Sequence, residues 1–243
     1  MRVLVTGGTG FVGYWVGKTA KCEAVYSLSR TAYESDNWYH GKWDAIIHLA
    51  SIPPSRVLTY CRKHSIRLLY ASSGIIYHPE WNTDYRRNKL TWEEECLESG
   101  VDVVVARLFT FYGDNLDDRK AYTAFTEAAR AGRPIRVTGD GNTVRSYMHG
   151  EEMGRQLWAI LERGVSGEAY DVGSDVPVTM LELAGKINFE YGKKSAIIVE
   201  GGVDPMPHYL PTDTAKTRAL LVRQAPARQE APKLPLDNAT VTG

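Results

Sequence analysis

Thr6, Gly7, Gly8, Thr9, Gly10, Phe11, Val12 and Gly13 follow one another near the start of the chain, and no other run narrows the fold as much. Val3 to Thr6, leading into the glycines, is a short apolar run that reads as a buried strand. Phe11 to Ala20, leading away from them, reads as a helix. A glycine pattern carries weight only in this setting, between a strand and a helix. Gly7 permits the tight turn, Gly10 lets backbone approach a pyrophosphate, and Gly13 lets the helix lie close on the strand. The helix start at Phe11 and Val12 then faces the phosphates with free N–H groups and a partial positive charge. The plain alternative is a glycine-rich connecting turn, and the strand in front of it weighs against that.

The alternation continues. Strands are expected at Ala24 to Leu28, Ala45 to Ala50, Arg67 to Ala71 and Val101 to Ala106, with helices at Ser55 to His64 and Tyr85 to Ser99. Val101 to Ala106 is nearly all valine, as suits a parallel strand buried on both faces. Such alternation implies βαβ units and an α/β fold with a Rossmann-type doubly wound parallel sheet. Beyond Gly113 the pattern changes. Helices are expected at Ala121 to Ala131, Glu151 to Arg163 and Met180 to Tyr191, an extended piece at Ile135 to Val137, and a strand at Ala169 to Val172. The expected organisation is a dinucleotide-binding domain over 1–113 and a small substrate-binding lobe over 114–221, from which strand 169–172 returns to the sheet. A flexible tail is expected over 222–243, which is proline-bearing and aperiodic.

Lys plus Arg number 29 and Asp plus Glu number 29, so the formal net charge is zero and gives no electrostatic case for a nucleic-acid or anionic-membrane partner. No apolar run approaches the roughly 20 residues that span a bilayer. The three cysteines form no C-x-x-C pair, and the chain enters a strand at once, leaving no room for a signal peptide. A cytoplasmic protein is expected. The six histidines show no metal-ligand spacing, so no metal is expected. His48 sits inside a buried strand and reads as a core residue. There is no G-x-S-x-G elbow and no Walker lysine, which disfavours a hydrolase or an NTPase.

Tyr85 and Lys89 are candidate chemistry-bearing residues, four apart and so on one helix face, although the spacing alone suits two surface residues as well. A nearby ammonium and a positive nicotinamide ring both favour phenolate, which would let Tyr85 act as a base near pH 7. Ser73 ends the strand that begins at Arg67, at the carboxyl edge where open parallel sheets bind ligands. After the second strand, where an acid usually takes the adenosine ribose, the chain reads Ser29-Arg30. That pair suits a 2′-phosphate and leans toward NADP over NAD. Asp36 is a second candidate for the adenosine side.

In order along the chain, these pieces resemble the extended short-chain dehydrogenase/reductases, the NAD-dependent epimerase/dehydratase group acting on nucleotide sugars. The likeness runs from residue 1 to about 221. It rests on Thr6 to Gly13, Asp44 to Ala50, Ser72-Ser73 before Tyr77, Tyr85 with Lys89, and Arg107 to Gly113. Gly139 to Gly141 with Arg145-Ser146-Tyr147, and Tyr170 to Ser174, complete it. The resemblance implies that Tyr85 transfers the proton, Lys89 holds the nicotinamide ribose and lowers the Tyr85 pKa, and Ser73 binds the reacting sugar hydroxyl. It places Leu49, Ala50, Ala71 and Phe109 at the cofactor. Thr110 stands where an asparagine commonly touches substrate, and Arg145 matches an arginine on the sugar-nucleotide diphosphate.

The chain also departs from the pattern. Gly74 and Ile75 stand where 4,6-dehydratases carry an Asp-Glu pair. Tyr85 lies only 12 positions after Ser73. The span from Arg30 to Asp44 nearly lacks a third βα unit, and Trp38, Tyr39 and Trp43 are expected to cover the sheet there. A second family arginine is replaced within Gly202 to Met206. The resemblance implies a compacted nucleotide-sugar 4-epimerase working through a 4-keto intermediate. A ketoreductase or dehydrogenase with exchangeable NADP(H) is the alternative, and a non-catalytic dinucleotide-binding protein a third reading. A homodimer through the helices at 55–64 and 85–99 is the family expectation.

Overall fold

The computed structural model describes residues 1–20, 22, 24–28, 33–34, 37–114, 120–192, 194–202 and 208–222. Six parallel strands form the main sheet: β1 (Arg2–Thr6), β2 (Ala24–Leu28), β3 (Ala45–His48), β4 (Arg67–Ser73), β5 (Val103–Leu108) and β9 (Ala169–Val172). Their spatial order is β2-β1-β3-β4-β5-β9. β1 has β2 on one side and β3 on the other, so the winding reverses there and opens a crevice at the carboxyl edge. Thr6 lies opposite His48, Ser73 opposite Leu108, and Leu108 opposite Val172, which brings these strand ends to one edge.

Alternate residues of each strand point to opposite faces. On one face Val3, Val5, Ile47, Leu69 and Val104 pack with Trp15 and Val16 of α1 (Phe11–Lys18) and with Met153, Leu157 and Ile160 of α5 (Gly150–Arg163). On the other, Leu4, Ile46, Leu68 and Val103 meet Val57, Leu58 and Cys61 of α2 (Ser55–His64) and Cys96 of α3 (Asp84–Glu98). Thus α5, from the second half of the chain, covers the sheet. It lies close on α1 because Gly150 and Gly154 face that helix: a Cβ at Gly150 would fall 2.1 Å from the Trp15 Nε1.

The rest of the second half builds a smaller layer. β6 (Thr110–Tyr112), β8 (Val144–His149) and β10 (Pro177–Thr179) form one sheet, and β7 (Ile135–Val137) pairs in parallel with β11 (Ile197–Val199). α4 (Ala121–Arg130) and α6 (Met180–Glu190) pack there around Phe125, Ile135, Val137, Leu183 and Ile187. A capping box starts α6: the Glu182 N–H donates to Thr179 Oγ1 at 3.1 Å, and the Thr179 N–H donates to the Glu182 carboxylate at 2.9 Å. A last helix, α7 (Thr214–Ala219), lies against β9.

Among the described residues, β2 is the sheet edge. Between it and β3 the described residues include 33–34, which are helical, and a short 3-10 turn, Asn37–His40. Tyr33 stacks on Trp38 with ring centroids 5.3 Å apart, and Trp38 and Tyr39 both meet Tyr60 of α2. The cluster covers Leu4 and Ile46, with Trp43 against its border. Aromatic side chains thus cover this part of the sheet. No helix among the described residues is long and apolar enough to cross a membrane.

Candidate active site

The glycine turn is built by close approach. Gly7 has φ +72°, and a Cβ there would stand 2.9 Å from the Ala50 nitrogen; one at Gly13 would fall 2.4 Å from the Gly8 Cα. Gly10 caps α1 without any side-chain cap bond, so the first N–H groups of the helix, from Phe11 onward, stay available to an anion. Beneath the turn, buried His48 accepts from the Thr6 hydroxyl at Nδ1 (2.8 Å) and donates from Nε2 to the Ile52 carbonyl (3.1 Å). Burial holds it at about 4, so it is neutral and serves to fix the strand ends.

A hollow of about 300 Å³ lies over the turn, bordered by Gly7, Gly10, Leu28, Tyr33 and Ala50. It shares Leu49 and Ser51 with a cavity of about 870 Å³. Together they make one groove along the carboxyl edge of the sheet. Bare backbone at the turn, an uncapped helix start and the buried Tyr33 hydroxyl, unpartnered among the described residues, are features that suit a dinucleotide, and the groove fits one. Of the cofactor candidates, Phe11, Val12, Leu49, Ala71 and Phe109 line the large cavity, while Gly7, Gly10 and Ala50 line the hollow. Ser29, Arg30 and Asp36 lie outside the described residues.

The large cavity also gathers Ser73, Tyr85 and Lys89. Lys89 is 4% exposed; its ammonium donates to the Ala71 carbonyl at 2.7 Å and sits 5.2 Å from the Tyr70 ring centroid and 5.9 Å from that of Tyr85. Burial lowers it to about 8. Tyr85 departs from expectation. Although the residue is 46% exposed, partial enclosure raises its hydroxyl above the usual phenol value, with the Ser73 hydroxyl pulling against that. The Lys89 ammonium, 5.9 Å from the Tyr85 ring centroid, is not among the groups that bring it down. Behind these groups the helix is tied to the sheet: Arg107 of β5 donates through Nε to buried Glu93 of α3 at 2.9 Å.

Comparison with known proteins decides the family. The profile of the NAD dependent epimerase/dehydratase family matches residues 15–173, more than half of the chain. The chain belongs to the NAD-dependent epimerase/dehydratase family. Among its relatives is an uncharacterized UDP-glucose epimerase, YtcB, of Bacillus subtilis (strain 168), 24% identical over 73% of this chain and 68% of that protein. Another is UDP-glucuronic acid decarboxylase 1 of Arabidopsis thaliana, 22% identical over 91% of this chain and 65% of that protein. The chain thus spans about two thirds of these curated relatives. Among solved structures, UDP-glucuronic acid 4-epimerase from Bacillus cereus, in complex with UDP-glucuronic acid and NAD, superposes with TM-score 0.75 at 18% identity, covering 91% of this chain and 93% of that one. UDP-N-acetylglucosamine 4-epimerase from the same species gives 0.73 at 20% identity, covering 91% and 90%.

Two substrate candidates of this epimerase/dehydratase-family chain, Thr110 and Arg145, also line the large cavity. Arg145 is no surface residue: it is 8% exposed, and its guanidinium donates to the Val144 carbonyl at 3.0 Å. Sequence reasoning missed Tyr209. Its hydroxyl stands 3.2 Å from Ser73 Oγ and 3.1 Å from the Leu108 carbonyl, and its ring lies against Phe109 at 5.0 Å. The segment carrying it is clamped by Asp171, whose Oδ2 accepts from Thr212 N and Oγ1, both at 2.8 Å, and from Asp213 N at 3.2 Å. The only sequence signal was Asp171 itself, within the Tyr170 to Ser174 motif. Residues 203–207, which include most of the replaced-arginine segment, lie outside the described residues.

Proposed function

We propose that the protein is an NAD-dependent nucleotide-sugar epimerase acting at the sugar C4. The observation that carries this reading is the convergence of Ser73, Tyr85 and Lys89 on one cavity that Arg145 also lines. The glycine turn would hold the pyrophosphate through backbone N–H groups, and Lys89 would hold the nicotinamide ribose. Bound NAD would take up and return the hydride and bring a positive ring charge to the cavity. That charge is what Tyr85 needs to ionise, since its hydroxyl is otherwise held protonated. Ser73 would orient the C4 hydroxyl and Tyr85 would accept its proton as the carbon becomes a ketone. Return of the proton from Tyr85, after the 4-keto sugar has turned its other face, gives the inverted alcohol. Arg145 would hold the diphosphate during that turn.

Dehydration is disfavoured by Gly74. A Cβ at that position would fall 2.3 Å from the Phe109 ring, so the place of the dehydratase acid is filled by an aromatic side chain.

The test is to denature the purified protein, identify the released nucleotide by mass, and then follow UDP-sugars by chromatography. Near-stoichiometric NAD and interconversion of C4 epimers are expected. An empty protein that consumes NADPH with keto-sugar substrates would establish the ketoreductase alternative, which Ser29-Arg30 favours.

A further inference from the structure

The hydroxyls around Ser73 are ordered by what each neighbour can do. The Leu108 carbonyl only accepts, and Tyr209 lies 3.1 Å from it as donor. With its proton committed there, the Tyr209 oxygen can only accept, and Ser73 Oγ is 3.2 Å away. The other acceptors open to the Ser73 proton are the same Leu108 carbonyl, at 3.5 Å, and the Tyr85 oxygen, which Ser73 also bonds. The Ile75 N–H, 3.4 Å from Ser73 Oγ, only donates. Tyr209 and Tyr85 therefore compete for the one Ser73 proton, and the Tyr209 oxygen, its own proton committed to Leu108, draws it away from Tyr85.

We propose that Tyr209 is a positioning residue: anchored on the Leu108 carbonyl, it captures the Ser73 proton, so that the resting site holds Tyr85 as a proton donor until a substrate hydroxyl takes the place of Tyr209 at Ser73. The proposal rests on the reading of Tyr85 as the proton-transfer residue. Tyr209 is well held for this. Its N–H donates to the Val144 carbonyl at 3.1 Å, and its ring packs on Phe109, His78 and Trp81. Tyr85 stands above the usual phenol value and Tyr209 at about 12, so both are protonated at rest.

Other charged and titratable groups face the same space. They are Lys89 on α3 itself, Arg145 and Tyr147 of β8, Arg136 of β7, and Lys120 and Tyr122 at the start of α4. His78 touches Tyr209, and Tyr77 with the Arg107–Glu93 pair lies behind α3. All are unchanged in Tyr209→Phe, so a shift between wild type and variant does not come from them.

In Tyr209→Phe the Ser73 proton is freed to donate to a Tyr85 phenolate, and such a bond favours the charged form. Tyrosinate absorbance would be titrated on wild type, Tyr85→Phe, Tyr209→Phe and the double variant, with and without NAD. The paired differences isolate Tyr85, which is expected to ionise about one pH unit lower without the Tyr209 hydroxyl. The acid limb of kcat/KM for UDP-sugar turnover should move the same way. In a Ser73→Ala background, Tyr209→Phe should shift nothing. An unmoved or raised Tyr85 titration, or a shift that persists without Ser73, overturns the proposal. Absence of sugar turnover in wild type would overturn the epimerase reading and leave the titration interpretable.

Discussion

The two ends of the groove are built differently. At the reacting end, Ser73 ends a strand with six of its seven residues buried, and Lys89 comes from a helix tied to the next strand through Glu93 and Arg107. At the turn end, the boundary strand β2 has no fully buried residue and two exposed ones. Its cover is aromatic side chains bonded by their polar tips: Trp38 to the Tyr33 carbonyl at 3.0 Å, Trp43 to the Trp38 carbonyl at 3.0 Å, and Tyr60 to the Gly41 carbonyl at 2.6 Å. Shortening a doubly wound sheet at its edge leaves the central strands and their register intact. What it changes is the enclosure of the far end of the groove.

If the chemistry belongs to the central strands alone, the largest effect comes from one atom there. Tyr85→Phe should lower turnover by roughly 10³-fold while the protein still retains its nucleotide. Equal loss of turnover and nucleotide would break the contrast between the two ends. Next in size is Gly7→Ala in the turn. A Cβ there meets the Ala50 backbone at 2.9 Å, and φ is +72°. The variant should be destabilised by about 2 kcal/mol and lose nucleotide binding at least tenfold, as denaturant melts and calorimetry would show. A normal melt with normal binding would mean the turn is not close-packed.

Much of this was legible from residue pattern. Ala24–Leu28, Ser55–His64 and Ala169–Val172 carry the bounds that periodicity and punctuation suggest, because buried parallel strands and amphipathic helices leave a period in the chain. β6, β8, β10 and β11 were not legible. Three of them are three residues long, too short for any period, and Val144–His149 mixes Arg, Ser and His into a strand whose partners come from far along the chain. Tyr209 stayed hidden for a similar reason. Its place at Ser73 is set by the clamp of its segment on Asp171, a contact across 41 positions to Thr212. The upward shift of Tyr85 also had no sequence signal, since it depends on how the fold encloses its hydroxyl.

Lys89 sharpens the comparison from the side of stability. Its folded value of about 8 lies below the 10.5 of an exposed lysine, and burial is the cause. Between those values the unfolded chain binds more protons, so stability should rise with pH through that window, and the penalty is complete below pH 8. Lys89→Met removes the buried charge but leaves the Ala71 carbonyl without its donor. A net gain of about 2 kcal/mol is expected at pH 7, shrinking toward pH 10.5, alongside loss of turnover. A variant less stable than wild type at pH 7 would show that the ammonium is not desolvated.

The smallest effect is expected at the other end. Tyr33 is 5% exposed, borders the hollow over the glycine turn, and its hydroxyl has no hydrogen-bond partner among the described residues. An orphaned buried hydroxyl costs about 1 kcal/mol or more, so Tyr33→Phe should raise the melting temperature by about 2–4 °C. If that hydroxyl is kept for the adenosine half of the cofactor, the same variant should bind NAD several-fold more weakly while binding nicotinamide mononucleotide as before. Both titrations can be run on one preparation. Equal weakening of the two ligands would place the effect at the turn, and no weakening of either would make Tyr33 part of the aromatic cover alone.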